Sequence, residues 1–418
     1  MSIADKLTTI AENVPKVYEA GKSAGGGGAV TVEEKDVNFW DYDGTLLYSY
    51  TLEEALALTE LPPAPDWHEE LSFLRWNWTL EQIKENNYAC DVGALYGTVD
   101  GKMHIFIDIK HDVQRNFVLD LVSDGGNESY MVEWGDGTSE SGVLPSGTLS
   151  LTHEYENVGK YTVRISKTSG WTFSVGVGNI RSKAVIREVH LTSESSGRIR
   201  VARSGFSYCQ NLAIVSFSDC PLTTGRGAFS YCGNLKHANV SNLVYELFYN
   251  SVSLRLCCIP PTGTWAQSDA LRQTGVVRYL GTKNSNVTEL YSFYSCVALK
   301  EVRCKNVGNG SFASCFALEK LELLGSNPTL GAEFARNCRN LLEFTVPDST
   351  TSISAAAFGN CYSLRYFRFL PTTPPTVANA NAFEGIPTDC IVEVPAESLE
   401  LYQNATNYAA LAAQMIGV

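Results

Sequence analysis

The chain has 418 residues, more than a single hydrophobic core organises, so several domains are expected. Its 32 Lys and Arg against 45 Asp and Glu leave a net charge of −13, which disfavours nucleic acid and anionic membrane as partners. Only 18% of residues are charged, and the abundance of Gly, Ser, Thr, Asn and Tyr is that of a turn-rich, mainly β protein.

The first residues, MSIADKLTTIAENVPKVYEAGKSAG, lack the apolar centre of a secretory signal, and no later run reaches the roughly 18 apolar residues of a membrane span. Neither Sec export nor membrane insertion is expected. Ile3, Leu7, Ile10, Val14 and Val17 recur at steps of 4, 3, 4 and 3, the seam of a coiled coil, and Ser2 with Asp5 can form a capping box. Residues 1–28 are therefore read as an oligomerisation or docking helix, shortened by Pro15, together with the start of a glycine-rich tether, Ser23 to Val30.

Residues 29–88 read as a small aromatic-rich α+β module. Thr51 with Glu54 and Thr79 with Gln82 are capping boxes that place helix starts near Leu52 and Leu80. Trp76 and Trp78 are expected to pack in the core together or to divide, one ring inward and one toward a partner. Within NFWDYDGTLLYSY, the run Asp41-Tyr42-Asp43-Gly44-Thr45 resembles the opening of haloacid-dehalogenase-type phosphatases. That resemblance implies Asp41 as nucleophile and Asp43 as acid and base. The family's later Ser or Thr, Lys and paired acids do not appear on alternating strands and helices, so the expected role is a turn in which both carboxylates accept backbone hydrogen bonds. No catalytic residue, metal or cofactor is assigned.

Residues 89–168 alternate as strands, with Met103, Ile105, Ile107 and Ile109 on one face. VEWGDGTSES from Val132 and THEYENVGKYTVRI from Thr152 resemble the polycystic-kidney-disease (PKD) type of immunoglobulin-like β-sandwich. The resemblance implies a spacer or adhesive unit, with His153 structural.

Residues 169–395 are dominated by repetition. Phe206, Phe229, Phe248, Leu271, Phe293, Phe312, Phe334 and Phe358 open matching segments at steps of 23, 19, 23, 22, 19, 22 and 24, with a partial unit at Phe383. AAFGNCYSLRYFRFLP, Ala356 to Pro371, resembles the BspA-like leucine-rich repeat, which implies a solenoid of stacked parallel strands. Cys209, Cys232, Cys296, Cys315, Cys338 and Cys361 share one slot, held by Ser251 and Thr274 elsewhere. A compact group bonding to backbone is expected there rather than a crosslink. Residues 396–418 are read as a capping helix.

In each L-x-x-h-x-h strand the residues before the two h positions should face outward. His237, Asn239, Tyr279, Glu301, Arg303, Lys320, Glu322, Glu343, Thr345, Tyr366 and Arg368 are thereby assigned to a binding ribbon. The N-terminal 90 residues, with WNWTLEQIKE, resemble the openings of tail-module proteins of phages and prophages of gut Firmicutes. That resemblance implies a tail fibre: a homo-oligomer, trimer favoured, docked on a tail or baseplate protein and contacting a bacterial surface receptor. A bacterial surface adhesin of the same repeat class is the alternative.

Overall fold

A computed structural model describes residues 32–63, 70–169, 172–192, 199–218, 225–239, 243–258, 267–281 and 290–418. The described residues are mainly β and fall into two compact units, Glu34–Arg272 and Gln273–Val418. The seam positions Ile3, Leu7, Ile10, Val14 and Val17 and the glycine tether lie outside the described residues.

The first unit opens with β1 (Val37–Trp40) and β2 (Leu46–Tyr50), paired antiparallel across the D-x-D-G-T turn. There Tyr42 N donates to Asp41 Oδ1 at 2.8 Å and Thr45 N to Asp43 Oδ1 at 2.9 Å, while Gly44 takes φ +88°. Both acids thus serve as turn acceptors. Helices α1 (Leu52–Ala57) and α2 (Leu80–Asn86) start at Thr51 and Thr79 with complete capping boxes, and β3 (Leu71–Trp76) lies between them. Trp76 and Trp78 are both buried: residues two apart lie on one side of an extended chain, so no ring is turned outward.

β4 (Cys90–Thr98) completes the sheet in the order β2-β1-β4-β3, pairing parallel with β1. The boundary drawn at residue 88 therefore falls short, because the module needs β4 to satisfy both β1 and β3. The next strands are β5 (Met103–Ile109), β6 (Asn116–Ser123), β7 (Ser129–Glu133), β8 (Ser139–Val143), β9 (Gly147–Glu154), β10 (Gly159–Ser169) and β11 (Ser174–Gly176). After α3 (Ile180–Val185) come β12 (Ile186–Thr192), β13 (Arg200–Val201), β14 (Ile214–Ser218), β15 (His237–Asn239) and β16 (Leu256–Cys258). They form an eight-stranded sheet, β16-β15-β14-β12-β5-β10-β7-β8, and a four-stranded one, β13-β11-β6-β9. The boundary at 168 is likewise crossed, because β5 pairs with β12 and carries hydrogen bonding from the region likened to a sandwich into the repeat strands.

In the W-G-D-G-T turn a Cβ on Gly135 would lie 2.6 Å from Thr162 O, so only glycine fits. His153 stacks on Trp134 at 4.8 Å and hydrogen-bonds Asp136 at 2.7 Å.

The repeats are organised around the Cys slot. Residues five and one before it hold left-handed φ in coil after coil. In the first unit they are Ser204 and Tyr208, Gly227 and Tyr231, and Glu246 and Asn250. In the second they are Tyr291 and Ser295, Gly310 and Ser314, Glu333 and Asn337, and Ala356 and Asn360. This backbone aims alternate N–H groups at the next coil: Gly310 to Ala332 O at 2.7 Å, Phe312 to Phe334 O at 3.0 Å, and Ser314 to Arg336 O at 2.7 Å. The slot side chain reaches the other way. Cys232 Sγ donates to Phe206 O at 3.2 Å, Cys315 Sγ to Phe293 O at 3.1 Å and Cys338 Sγ to Phe312 O at 3.2 Å, and Ser251 Oγ donates to Phe229 O at 2.9 Å. Counted from the slot, Ala335 and not Phe334 is the residue equivalent to Phe312, because its carbonyl receives Cys361 Sγ at 3.3 Å. Phenylalanine rings nevertheless run coil to coil, with centroids at 5.6 Å for Phe293–Phe312 and 5.7 Å for Phe312–Phe334.

The second unit carries β17 (Arg278–Leu280), β18 (Glu301–Cys304) and β19 (Lys320–Leu323) in one sheet. The short strands β20 (Thr329–Leu330), β22 (Ser352–Ile353) and β24 (Thr376–Val377) form another. A third comprises β21 (Glu343–Val346), β23 (Tyr366–Phe369), β25 (Ile391–Val394) and β26 (Met415–Gly417). The expected capping helix is only α4 (Leu399–Gln403), and the chain then returns as β26 alongside β25. Covering is done by Tyr402 of that helix with Tyr408 and Leu411 beyond it, the two tyrosine hydroxyls donating to Pro371 O at 2.7 Å and Pro375 O at 3.0 Å.

Burial pushes the slot thiols up, to about 12 for Cys232 and Cys361 and about 11 for Cys296, where the Thr274 hydroxyl pulls it back. The slot thiols should therefore stay unreactive toward a disulfide reagent until the chain is denatured. Ser251 Oγ also accepts from Cys232 N at 3.1 Å, so Ser251→Ala removes the partner of a buried donor and one bond to the Phe229 carbonyl. It should cost about 1–3 kcal/mol in urea unfolding, whereas Cys338→Ser should be milder.

Candidate functional site

Strand register sorts the assigned ribbon. In the first unit Glu188, Ile214, His237 and Leu256 align across β12, β14, β15 and β16, and His190, Ser216, Asn239 and Cys258 form the next column. Glu188, Ile214, His237, His190 and Ser216 in these columns face away from Val189, Val215 and Ala238, which are fully buried in the coil interior. They are not open. β4 lies against β12, β14 and β16, and His190, Ser216 and His237 are 2%, 1% and 1% exposed. The D-x-D-G-T turn sits directly above: a Cβ on Gly44 would lie 3.4 Å from His237 Nδ1, and the Tyr42 ring is 5.9 Å from that of His190. His237 is thus corrected from binding residue to buried residue, because the module covers this strand face. The side chain of Asn239 lies outside what is described.

Neither ring nitrogen of His237 has a hydrogen-bond partner among the described residues. Burial drives its pKa down to about 4, against a smaller upward pull from Asp43. His104, pushed down by burial as well, holds Asp100 at 2.7 Å through Nε2, and Glu70 stands 3.3 Å from its Nδ1. Glu70 also takes Arg164 Nη2 at 2.6 Å, tying the start of β3 to β5 and β10.

In the second unit the same columns are open. Glu301 is half-buried with Lys320 Nζ 2.9 Å away, Glu322 is half-buried, and Lys320, Glu343, Thr345, Tyr366 and Arg368 are exposed. Arg368 Nε donates to Glu393 Oε2 at 2.5 Å across one rung. Tyr366 is 54% exposed, with Leu342 and Ile391 exposed beside it. Two assigned residues depart from this. Tyr279 pairs with Val302 and packs edge-on against Phe293 at 5.0 Å, so it belongs to the interior; a one-residue error of register turned it outward on paper. Arg303 is in an outward column yet only 5% exposed, its Nε donating to Gly281 O at 3.1 Å. The residues in register with the ribbon that were missed are Arg278, Leu280, Ile391, Glu393 and Ile416. Counting outward from Val302 and Val392, both buried, would have found them.

Residues 183–300 and 281–388 match the model of the BspA type leucine rich repeat region, in six copies. This stretch of the chain is a BspA-type leucine-rich repeat region. Among solved structures, similarity extends to a leucine-rich repeat protein from Bacteroides ovatus, at 20% identity over 55% of this chain and 66% of that one, TM-score 0.40. It extends also to a leucine rich cell surface protein from Faecalibacterium prausnitzii, at 15% identity over 55% of this chain and 83% of that one, TM-score 0.26. The pneumococcal vaccine antigen PcpA aligns at 16% identity over 56% of this chain and 66% of that one, TM-score 0.32. The chain spans just under two thirds of the first of these. No curated protein matches.

The BspA-type strand face therefore has two fates, covered in the first unit and open in the second. Among the described residues no group of three or more His, Cys, Asp or Glu is placed to hold a metal, and no helix is long and apolar enough to cross a membrane.

Because the folded His237 stays neutral down to about pH 4 while an unfolded histidine takes up its proton near pH 6.5, stability is lost as pH falls through that window. The loss should be on the order of 3 kcal/mol at most. Urea unfolding of the wild type and His237→Phe at pH 7.5 and pH 4.5 checks it: the variant should lose markedly less stability on acidification, the remainder coming from His104.

Proposed function

We propose that the protein is a non-enzymatic attachment protein of a bacterial cell surface, which grips a surface macromolecule through the open strand face of Gln273–Val418. The observation that carries this is the set of exposed outward residues on successive rungs, Lys320, Glu343, Thr345, Tyr366 and Arg368, with apolar Leu342 and Ile391 at its border. Charges of both signs alternate along it and Tyr366 offers a broad ring, a mixture suited to a protein or protein-linked partner. The match to the BspA type supports the cell-surface setting over the virion.

A tail fibre would use the same ribbon on a bacterial receptor and differ in its carrier. That reading leans on the phage-like opening of the chain, whose docking and trimerising residues, 1–28, lie outside the described residues.

Labelled full chain should bind target cells saturably, and Tyr366→Ala with Arg368→Ala should weaken it at least about tenfold. Undiminished binding by that double variant would sink the ribbon. Antibody fractionation of the native host decides the carrier: envelope association supports the adhesin, and co-sedimentation with phage particles replaces it with the tail fibre.

A further inference from the structure

We propose that the turn side of the second unit holds a second site, a groove for a neutral oligosaccharide. A cavity of about 410 Å³ runs along the left-handed turns of successive coils, a segment of each coil separate from the strand ribbon. Its floor is stripped to Ala332, Ala355, Ala356 and Gly359, and its walls bring together Tyr291, Asn309, the Glu333–Arg336 pair, Asn381 and Glu384. The ring of Tyr291 is laid over Gly310, where any Cβ would meet it at 2.4 Å, and it forms one end wall.

The polar groups are set in one way at both ends. Asn309 Oδ1 accepts from Ala332 N at 3.0 Å and Asn381 Oδ1 from Ala356 N at 3.0 Å. Tying the amide oxygen to backbone of an adjoining coil, the next for Asn309 and the preceding for Asn381, leaves each NH₂ as a donor at the groove. Glu384 contributes an exposed carboxylate as acceptor, its backbone alone being used in the coil ladder through Asn360 N. Glu333 and Arg336 pair at 2.6 Å, and a fork of five N–H donors keeps others for a ligand.

The occupant is set by this chemistry. Two carboxylates against one guanidinium exclude phosphate, sulfate and uronate ligands, and a floor of alanine and glycine with a single ring offers too little apolar surface for a lipid. Donors and acceptors distributed over coils stacked about 4.8 Å apart suit a ligand that repeats its hydroxyls along its length. Neutral sugars linked in a chain have that property.

The test is an array of neutral oligosaccharides (glucose, mannose, galactose and N-acetylglucosamine series, dimer to hexamer) with a heparin-derived hexasaccharide beside them, probed with the intact chain. At least one neutral series should bind, with affinity rising with length. Calorimetry with the best binder should show about tenfold weakening in Glu384→Ala, which removes an exposed acceptor, and in Ala355→Trp, which fills the floor. Tyr366→Ala should leave it unchanged, which separates this groove from the strand ribbon. Should Ala355→Trp lose cooperative unfolding, Glu384→Ala alone decides. Binding of no neutral series, preference for the heparin fragment, or affinity untouched by Glu384→Ala would overturn the proposal.

Discussion

A stacked coil satisfies only every other N–H of its turn internally, as Ala313 N with Gly310 O and Cys315 N with Phe312 O, and the hydrogen bonds that cross from one coil to the next are the constraint on which the repeat half depends. An ordinary turn would leave alternate N–H groups facing into the stack with nothing to donate to, at a cost of about 1–3 kcal/mol each. Two left-handed residues per coil avoid that by pointing three N–H groups along the stacking direction, as Gly310, Phe312 and Ser314 do. The conformation is unfavourable for residues such as Glu333 and Tyr291, by roughly 1–3 kcal/mol each, and it persists because three interlocking bonds per coil outweigh it. The slot answers to the same requirement. Only a small group with a donor fits between the turn and the carbonyl of the previous coil, and Cys, Ser and Thr meet that need while Leu would not.

Much of this was legible in residue types. The repeat spacing, the shared chemistry of Cys, Ser and Thr, and the capping boxes at Thr51 and Thr79 all report local requirements that act within a coil or a helical turn. The features that stayed hidden depend on distant contacts. His237 sits on an outward strand position by every local rule, and only the turn at Gly44, almost two hundred residues earlier, turns it into a buried side chain. Tyr279 was misread for a different reason: its coil lacks the Phe and Leu that anchor the others, so nothing nearby fixed its register. Phe334 was a milder case, since one added residue before Cys338 moved the ring without moving the slot.

The covered strand face of the first unit arises from how the module packs on that unit's repeat strands. β4 must satisfy β1 and β3 and also lies on β12, β14 and β16, so a single strand serves two layers. Placing His190, Ser216 and His237 beneath it keeps polar side chains at a buried interface, at a cost wherever they lack partners. The gain is shape: each is short enough, or flat enough, to let the D-x-D-G-T turn approach. That turn, which by motif alone invites a phosphatase, is held by its own carboxylates. Asp41 and Asp43 hold its backbone, and Gly44 lets it descend onto an imidazole.

The coil ladder also decides where recognition can reside. Interior strand positions, slots and left-handed turns each answer to a neighbouring coil, so a substitution there costs on the order of 1–3 kcal/mol. Exposed outward strand positions such as Glu343, Thr345 and Tyr366 carry no such tie, and exchanges there usually stay within about 0.5 kcal/mol. Glu343, Tyr366 and Ile391 illustrate the difference: three unrelated side chains occupy one column in register, while the column beside it reads Phe344, Phe367 and Val392, all buried. Chemistry can therefore vary freely on the exposed columns of the second unit without altering the fold. In the first unit the same columns are committed to the module and have lost that freedom.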